Sequence, residues 1–283
     1  MNVTTYDDPA DFWRTAGDWL QLDPVGNTIA ITVLRQRLDL GPMEDDEPPL
    51  LLTVHDNDVL VGAAIQTPPR PLIISALPKE THPHVIDVLG DLVGVTGPRD
   101  LADHFTEAFL AKSGQSISGT VPTRLYALSE LTVPAVTGQF RLATEADIPL
   151  VARWWDEFNA ELDHFAVSGT GDENARRALD FDRAIGLWFD NGEPVAFAMA
   201  TPAIAGMSRI GPVYTAPEAR GRGYAKAVTA QVARVARERG AEHVLLFADT
   251  DNPASNAAYQ GIGFQVVTDA VEYLFVERNT LEP

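Results

Sequence analysis

One run of residues restricts the fold of this chain more than any other: Ile210-Gly-Pro-Val-Tyr-Thr-Ala-Pro-Glu-Ala-Arg-Gly-Arg-Gly-Tyr-Ala-Lys-Ala-Val228. Val213, Tyr214 and Thr215 read as the end of a β-strand, Pro217 breaks it, and glycines 221 and 223 form a loop. A helix follows, since Ala225, Val228, Thr229, Val232, Val235 and Ala236 recur three or four apart while Arg234, Arg237, Glu238 and Arg239 take the other face. Gly240 ends it as a C-terminal cap. At the start of such a helix several N–H groups have no intrahelical acceptor and stand at the positive end of the macrodipole. Gly221 and Gly223 let a ligand approach the backbone, and Arg220, Arg222 and Lys226 add charge, so the stretch is predicted to hold an anion such as a pyrophosphate. A tight turn alone would explain a glycine pair; the three basic residues favour the ligand. The loop is not a P-loop, because no Gly-Lys-Ser/Thr follows, and it lacks the G-x-G-x-x-G order of a dinucleotide fingerprint.

Composition removes several other classes of function. The 283 residues carry 40 acidic and 21 basic side chains, a formal charge of −19 that repels phosphate backbones and favours a cationic or amine substrate. Nucleic acid and membrane are therefore not expected as partners, the latter because no apolar run reaches the roughly 18 residues a spanning helix needs. Met1-Asn-Val-Thr-Thr-Tyr-Asp-Asp8 has no signal-peptide pattern, which predicts a cytoplasmic protein; a monomer or a homodimer is expected. Cysteine is absent, and with it disulfides, thiolate zinc and a cysteine nucleophile. Among six histidines, His82-Pro-His84 is the close pair; in a Pro-bearing stretch without nearby carboxylates it is predicted to be solvated surface, and no metal is expected.

Read in order, residues 8–38 predict two helices, with Phe12, Trp13, Ala16, Trp19 and Leu20 as the first apolar stripe. A hairpin over 50–54 and 59–65 follows, then a strand at 72–75, a helix over 79–92, a short strand at 93–96, a helix over 98–112 and a strand at 124–128. Ser129 to Gly138 reads as a linker, after which the order restarts. A strand at 139–142 leads to a helix capped by Thr144 with its apolar face on Ile148, Val151, Ala152, Trp155 and Phe158. A helix over 172–185, a hairpin across Asn191-Gly192, and the glycine-loop strand and helix come next. The chain closes with a buried strand at 244–248, a short helix over 253–260, and strands at 264–267 and 271–276. In the short helix Asn252 is the N-cap, Pro253 sits at the first helical position and Gly261 ends it. That local account leaves Asn256 and Tyr259 unexplained.

Arg220-x-x-Gly223-x-Ala225 behind a strand resembles the acetyl-CoA pyrophosphate motif, Arg/Gln-x-x-Gly-x-Gly/Ala, of the GNAT N-acetyltransferases. Asn252, Ser255, Tyr259, Gly263 and Phe264 fill every position of that family's Asn-x-x-(Ser/Ala)-x-x-x-Tyr-x-x-x-Gly-Phe segment, which lines the pantetheine arm. The resemblance implies an α/β (α+β) chain of tandem GNAT (acyl-CoA N-acyltransferase) folds, each a mixed central sheet flanked by helices. Residues 1–132 would be a degenerate GNAT-like domain, since Ala76-Leu-Pro-Lys-Glu-Thr-His-Pro83 replaces the glycine loop, and 138–283 the catalytic one. The pairing is similar to that of mycothiol synthases and other actinobacterial tandem acetyltransferases. It further implies acetyl-CoA as cosubstrate, held by Val213, Tyr214, Thr215, Arg220, Gly221, Arg222, Gly223, Tyr224, Ala225, Lys226, Asn252 and Asn256. Tyr259 would protonate the departing thiolate while a small-molecule or peptidyl amine attacks the thioester directly. The family often places a glutamate on its fourth strand, but here that strand reads Met207-Ser-Arg-Ile-Gly-Pro-Val-Tyr214. Glu157, Glu161 and Asp163 are candidates for holding a cationic substrate, with a solvated helix face as the plainer explanation. Two alternatives belong to other classes. One is a non-catalytic acyl-CoA-binding module, against which Tyr259 weighs; the other is an aminoacyl transferase, against which the charge weighs.

Overall fold

The computed structural model describes residues 1–43, 46–161 and 169–277. Contacts group the chain into two units, Met1–Thr123 joined by the chain from Asp269 onward, and Arg124–Thr268. The break at 123/124 precedes the Ser129–Gly138 stretch, because that stretch is tied into the second unit: Ser129 N–H donates to the Gly263 carbonyl and Thr132 N–H to the Ile262 carbonyl, each at 3.0 Å.

In the first unit, β1 (Asn2–Tyr6) leads to α1 (Pro9–Leu20) and α2 (Thr28–Leu40). Asp8 starts α1 by accepting the Ala10 N–H at 2.8 Å, with Pro9 at a first-turn position that needs no donor. Phe12, Ala16 and Leu20 are buried on its inner face. Then come β2 (Leu50–Asp56), β3 (Val59–Gln66), β4 (Leu72–Ile73), α3 (His82–Ile86), β5 (Gly94–Pro98), α4 (Arg99–Lys112) and β6 (Gln115–Leu128), whose last residues enter the second unit. The strands β1 to β4 pair antiparallel in sequence order and β4 pairs parallel with β5. The parallel step requires a crossover, here the five-residue α3.

His82 is a correction to the expected solvated His82-Pro-His84 stretch. It is fully buried on α3, with Nε2 2.9 Å from the Leu77 carbonyl and Nδ1 2.9 Å from Nδ1 of His104. Bonded to a carbonyl, Nε2 must donate, and in the neutral ring that leaves Nδ1 to accept from His104. Burial lowers its pKa below 6.5, and the His104 and Lys79 charges add to that. A base with a depressed folded pKa contributes stability that is present above the unfolded value and lost as pH falls through the folded one. The melting temperature is therefore expected to fall as the pH drops below about 6.5, and His82→Gln to flatten that slope. Parallel slopes in the two proteins would contradict the assignment.

The second unit repeats the order. It contains β7 (Gln139–Leu142), α5 (Ile148–Ala160), α6 (Gly171–Asp180), β8 (Ala184–Asp190), β9 (Glu193–Ala200), β10 (Met207–Thr215), α7 (Tyr224–Glu238), β11 (His243–Asp249), α8 (Pro253–Gln260) and the start of β12 (Phe264–Glu277). β7 to β10 pair antiparallel, β10 pairs parallel with β11 across the α7 crossover, and β6 lies on the other side of β11. The core is built on Trp154, Phe197, Tyr214, Val228, Val232, Leu246 and Phe264. Asp182, at φ 52°, stops α6 short of the expected helix end at 185, and Ala184 begins β8 instead. β12 is one strand of 14 residues where two were expected, because Thr268-Asp-Ala270 contains no Gly or Pro to break it. Its Ala270–Leu274 pair antiparallel with β5 inside the first unit.

Candidate active site

The second unit has an opening in its sheet. β10 pairs with β9 through Thr215, with a register shift between Ile210 and Val213, but pairs with β11 only over Met207–Ile210 against His243–Leu246. Pro212, which has no N–H to donate, lies inside the shift. Ala216 N–H donates to the Val195 carbonyl at 3.1 Å, so by the alternation of a strand Tyr214 also faces β9. Val213 and Thr215 therefore turn their N–H and C=O groups toward the edge that β11 has left. Thr215 confirms this direction, since its carbonyl accepts from Arg220 Nε at 3.0 Å across five residues. Its hydroxyl is buried with no hydrogen-bond partner among the described residues.

The glycine loop stands at the end of this opening. Gly221 and Gly223 adopt φ of 78° and 84°, the left-handed region that any other residue enters only with strain. The first amide bonded inside α7 is that of Ala227, 3.0 Å from the Gly223 carbonyl. The N–H groups of Tyr224, Ala225 and Lys226 consequently point out of the helix end, a geometry that can receive an anion. Arg222 is exposed, with Asp190 at 3.9 Å as its ionic neighbour. Beside it lies a groove of about 630 Å³ lined by Ala135, Val136, Thr137, Asn191 and Tyr224 among others. The remaining two basic residues of the motif face elsewhere. Lys226 Nζ lies against Gly261, where a Cβ would meet it at 2.9 Å, close to the carbonyl end of α8, a favourable place for a cation. Arg220 binds Thr215 and Glu161.

The helix α8 closes the other side. Asn252 caps it, its Oδ1 accepting the Ser255 N–H at 3.1 Å. Asn256 uses its whole amide on the protein: Nδ2 donates to the Asp249 and Asn252 carbonyls, both at 2.7 Å, and Oδ1 accepts from the Tyr126 hydroxyl at 2.6 Å. It thus fixes α8 to the end of β11. Asn256→Ala strips the buried Tyr126 hydroxyl of its acceptor as well, and is expected to cost about 1–3 kcal/mol of stability in a denaturant melt. A change below about 0.5 kcal/mol would contradict that role. Tyr259 is half-buried and meets Phe264 edge-on at 6.3 Å between centroids. No hydrogen bond engages its hydroxyl among the described residues, and burial pushes its pKa up to about 12.

Of the carboxylates singled out in the sequence, Glu157 accepts a hydrogen bond from the Tyr214 hydroxyl at 2.7 Å. Glu161 forms a close ion pair with Arg220, whose guanidinium carbon also lies 5.7 Å from the centre of the Tyr214 ring. Burial, then the bond to Glu157, pushes the Tyr214 phenol up to about 12, and the Glu161 carboxylate raises Arg220 further. Asp163 lies outside the described residues. Tyr126, the Thr215 hydroxyl and the Ala135–Thr137 wall of the groove were not foreseen from the sequence. Tyr126 and Asn256 are 130 residues apart, and no local pattern marks such a pair. Among the described residues no group of three or more His, Asp or Glu could hold a metal, and no helix is long and apolar enough to cross a membrane.

Three comparisons bear on this arrangement. The model of the acetyltransferase (GNAT) family matches residues 149–264, from the start of α5 to the start of β12. A mycothiol acetyltransferase of Saccharomonospora viridis is 30% identical over 142 residues, which cover 46% of this chain and 44% of that protein. The match thus spans less than half of the relative's length. Among solved structures, a GNAT-family acetyltransferase from Colwellia psychrerythraea superimposes with a TM-score of 0.60 at 14% identity, covering 98% of this chain and all of that one. A tandem GNAT protein from the clavulanic acid biosynthesis pathway gives 0.55 at 13% identity, with 98% of both chains covered. At such identities the two structures speak for the fold alone.

Proposed function

We propose that this chain transfers the acetyl group of acetyl-CoA to a primary amine, at the second unit, where residues 149–264 match the model of the acetyltransferase (GNAT) family. One observation carries the reading: the edge of β10 left free by β11, at Val213 and Thr215, leads to the outward-facing amides of Tyr224, Ala225 and Lys226. An extended carrier arm needs backbone groups along its length, and its pyrophosphate needs several N–H donors together at one end. The buried, unpartnered Thr215 hydroxyl fits the same occupant, since a polar atom in that state lacks the hydrogen bond that a ligand would supply. Acetyl-CoA supplies the thioester; this chain holds and polarises it. Arg222, Gly221 and Gly223 would take the pyrophosphate, and the Val213 N–H would oppose the charge that grows on the thioester oxygen. A neutral amine forms the new C–N bond as the C–S bond breaks. Tyr259 would face the departing sulfur with its proton. β10 carries no carboxylate, so the proton that the amine gives up goes to water or to a carboxylate of another element.

The acceptor class follows from charge. Glu157 and Glu161 lie one helical turn apart beside Tyr214, in a chain with a formal charge of −19. A thiol-release assay with acetyl-CoA and a panel of diamines, basic amino acids and peptides with free N-termini tests both parts. Release with the basic members and none with anionic amines is expected. Tight CoA binding with no release from any amine would favour the non-catalytic acyl-CoA-binding reading instead.

A further inference from the structure

Arg220 belongs by sequence to the loop assigned to the pyrophosphate, yet its side chain does not face that loop. Its Nε donates to the Thr215 carbonyl at 3.0 Å, its terminal nitrogen pairs with Glu161, and its guanidinium carbon stands 5.7 Å from the Tyr214 ring centre. A cation beside a carboxylate and over an aromatic face is a complete recognition arrangement, combining ion pairing with cation–π attraction. Tyr214 is itself held in place. Its hydroxyl is bonded to Glu157 at 2.7 Å, and its ring packs against Trp154 and Phe197 at 6.1 and 6.2 Å between centroids. The aromatic platform therefore exists whether or not Arg220 occupies it.

The group that reacts must be a neutral amine, because an ammonium nitrogen has no lone pair to attack with. A second site for positive charge close by has no use for the reacting nitrogen, but suits another cationic group on the same acceptor. We propose that Glu161 and the face of Tyr214 form the subsite for a second cationic group of the acceptor, a diamine or basic amino acid. Arg220 fills this subsite in the free protein and leaves it for the pyrophosphate of the bound donor. The inference rests on the acetyl-transfer reading for its donor, and it adds an order of events: donor first, acceptor second. Linkage makes the two halves one statement, since whatever removes Glu161 as a competitor for Arg220 must tighten the donor.

Two measurements on the full chain test it. In the thiol-release assay, 1,4-diaminobutane should exceed n-butylamine in kcat/KM by about five- to thirtyfold, the sum of an exposed ion pair and a cation–π contact. Glu161→Gln should collapse that ratio toward one through KM. In calorimetry with CoA, Glu161→Gln should tighten binding about two- to fivefold, and the gain should vanish when Arg220→Gln is already present. A diamine preference unchanged in Glu161→Gln overturns the proposal, as does CoA affinity that fails to rise or rises equally in the Arg220→Gln background. If no amine releases CoA, the acetyl-transfer reading fails by itself and the calorimetric cycle alone decides the Arg220–Glu161 exchange. Absence of CoA binding to the unsubstituted protein overturns both.

Discussion

Tyr259→Phe is expected to lower kcat about a hundredfold at saturating amine and to leave acetyl-CoA affinity nearly unchanged. The size follows from the state of the phenol. Its pKa, pushed up to about 12 by burial, keeps the proton in place throughout the working range, so the residue is always a donor. The same shift makes full transfer to a thiolate near its reference pKa of about 8.5 unfavourable. In the proposed reaction Tyr259 would therefore act chiefly by a hydrogen bond to the sulfur as charge builds there, which places the expected loss at the lower end of the range for a positioned acid, about two to four orders of magnitude. The ring keeps its edge contact with Phe264 in the variant, so the melting temperature should move little. A purely structural tyrosine predicts an unchanged kcat, and that result would leave water as the proton donor. No loss of activity from this group is expected on the alkaline side up to about pH 10.

Arg222→Glu should weaken acetyl-CoA binding about ten- to a hundredfold, measured by calorimetry. Arg222 is the basic side chain of the loop that stands free before any donor binds: Lys226 is turned to the end of α8 and Arg220 to Glu161, whereas Arg222 is exposed with Asp190 only at 3.9 Å. Reversal replaces a charge-assisted contact with repulsion next to the amides of Tyr224 to Lys226. Dephospho-CoA should lose as much as CoA, because the pyrophosphate is common to both. Unchanged binding would reduce Gly221-Arg222-Gly223 to a tight turn.

What could be read from the sequence was what local chemistry determines. α8 runs over the expected residues, Pro253–Gln260, because its cap, its first-turn proline and its terminating glycine are all neighbours in the chain. The strand, loop and helix around Gly221 and Gly223 emerged for the same reason, and the hairpin across Asn191-Gly192 as well. β1 and the first half of β6 were missed, since Asn2-Val-Thr-Thr-Tyr6 and Gln115-Ser-Ile-Ser-Gly119 have too few apolar residues to signal a strand and gain their pairing from neighbours. His82 went unrecognised as a core residue because its partners are the carbonyl of Leu77 and a histidine 22 residues on. The direction of Arg220 was equally hidden. The motif locates its backbone in the loop, while the side chain is claimed by a glutamate 59 residues earlier. Motif spacing thus specified where the loop lies, and long-range pairs decided which of its side chains face it in the free protein.

Direct transfer is the central claim, and it is tested by incubating the protein with acetyl-CoA labelled in its acetyl group and the amine that best supports thiol release, then weighing both products by mass spectrometry. The chain has no cysteine to carry an acyl group, and in the proposed reaction the open edge of β10 would bring thioester and amine together without an intermediate on the protein. The account predicts labelled N-acetyl amine appearing in step with free CoA while the protein stays unlabelled. Label retained on the protein, or CoA released without acetylated amine, would contradict it.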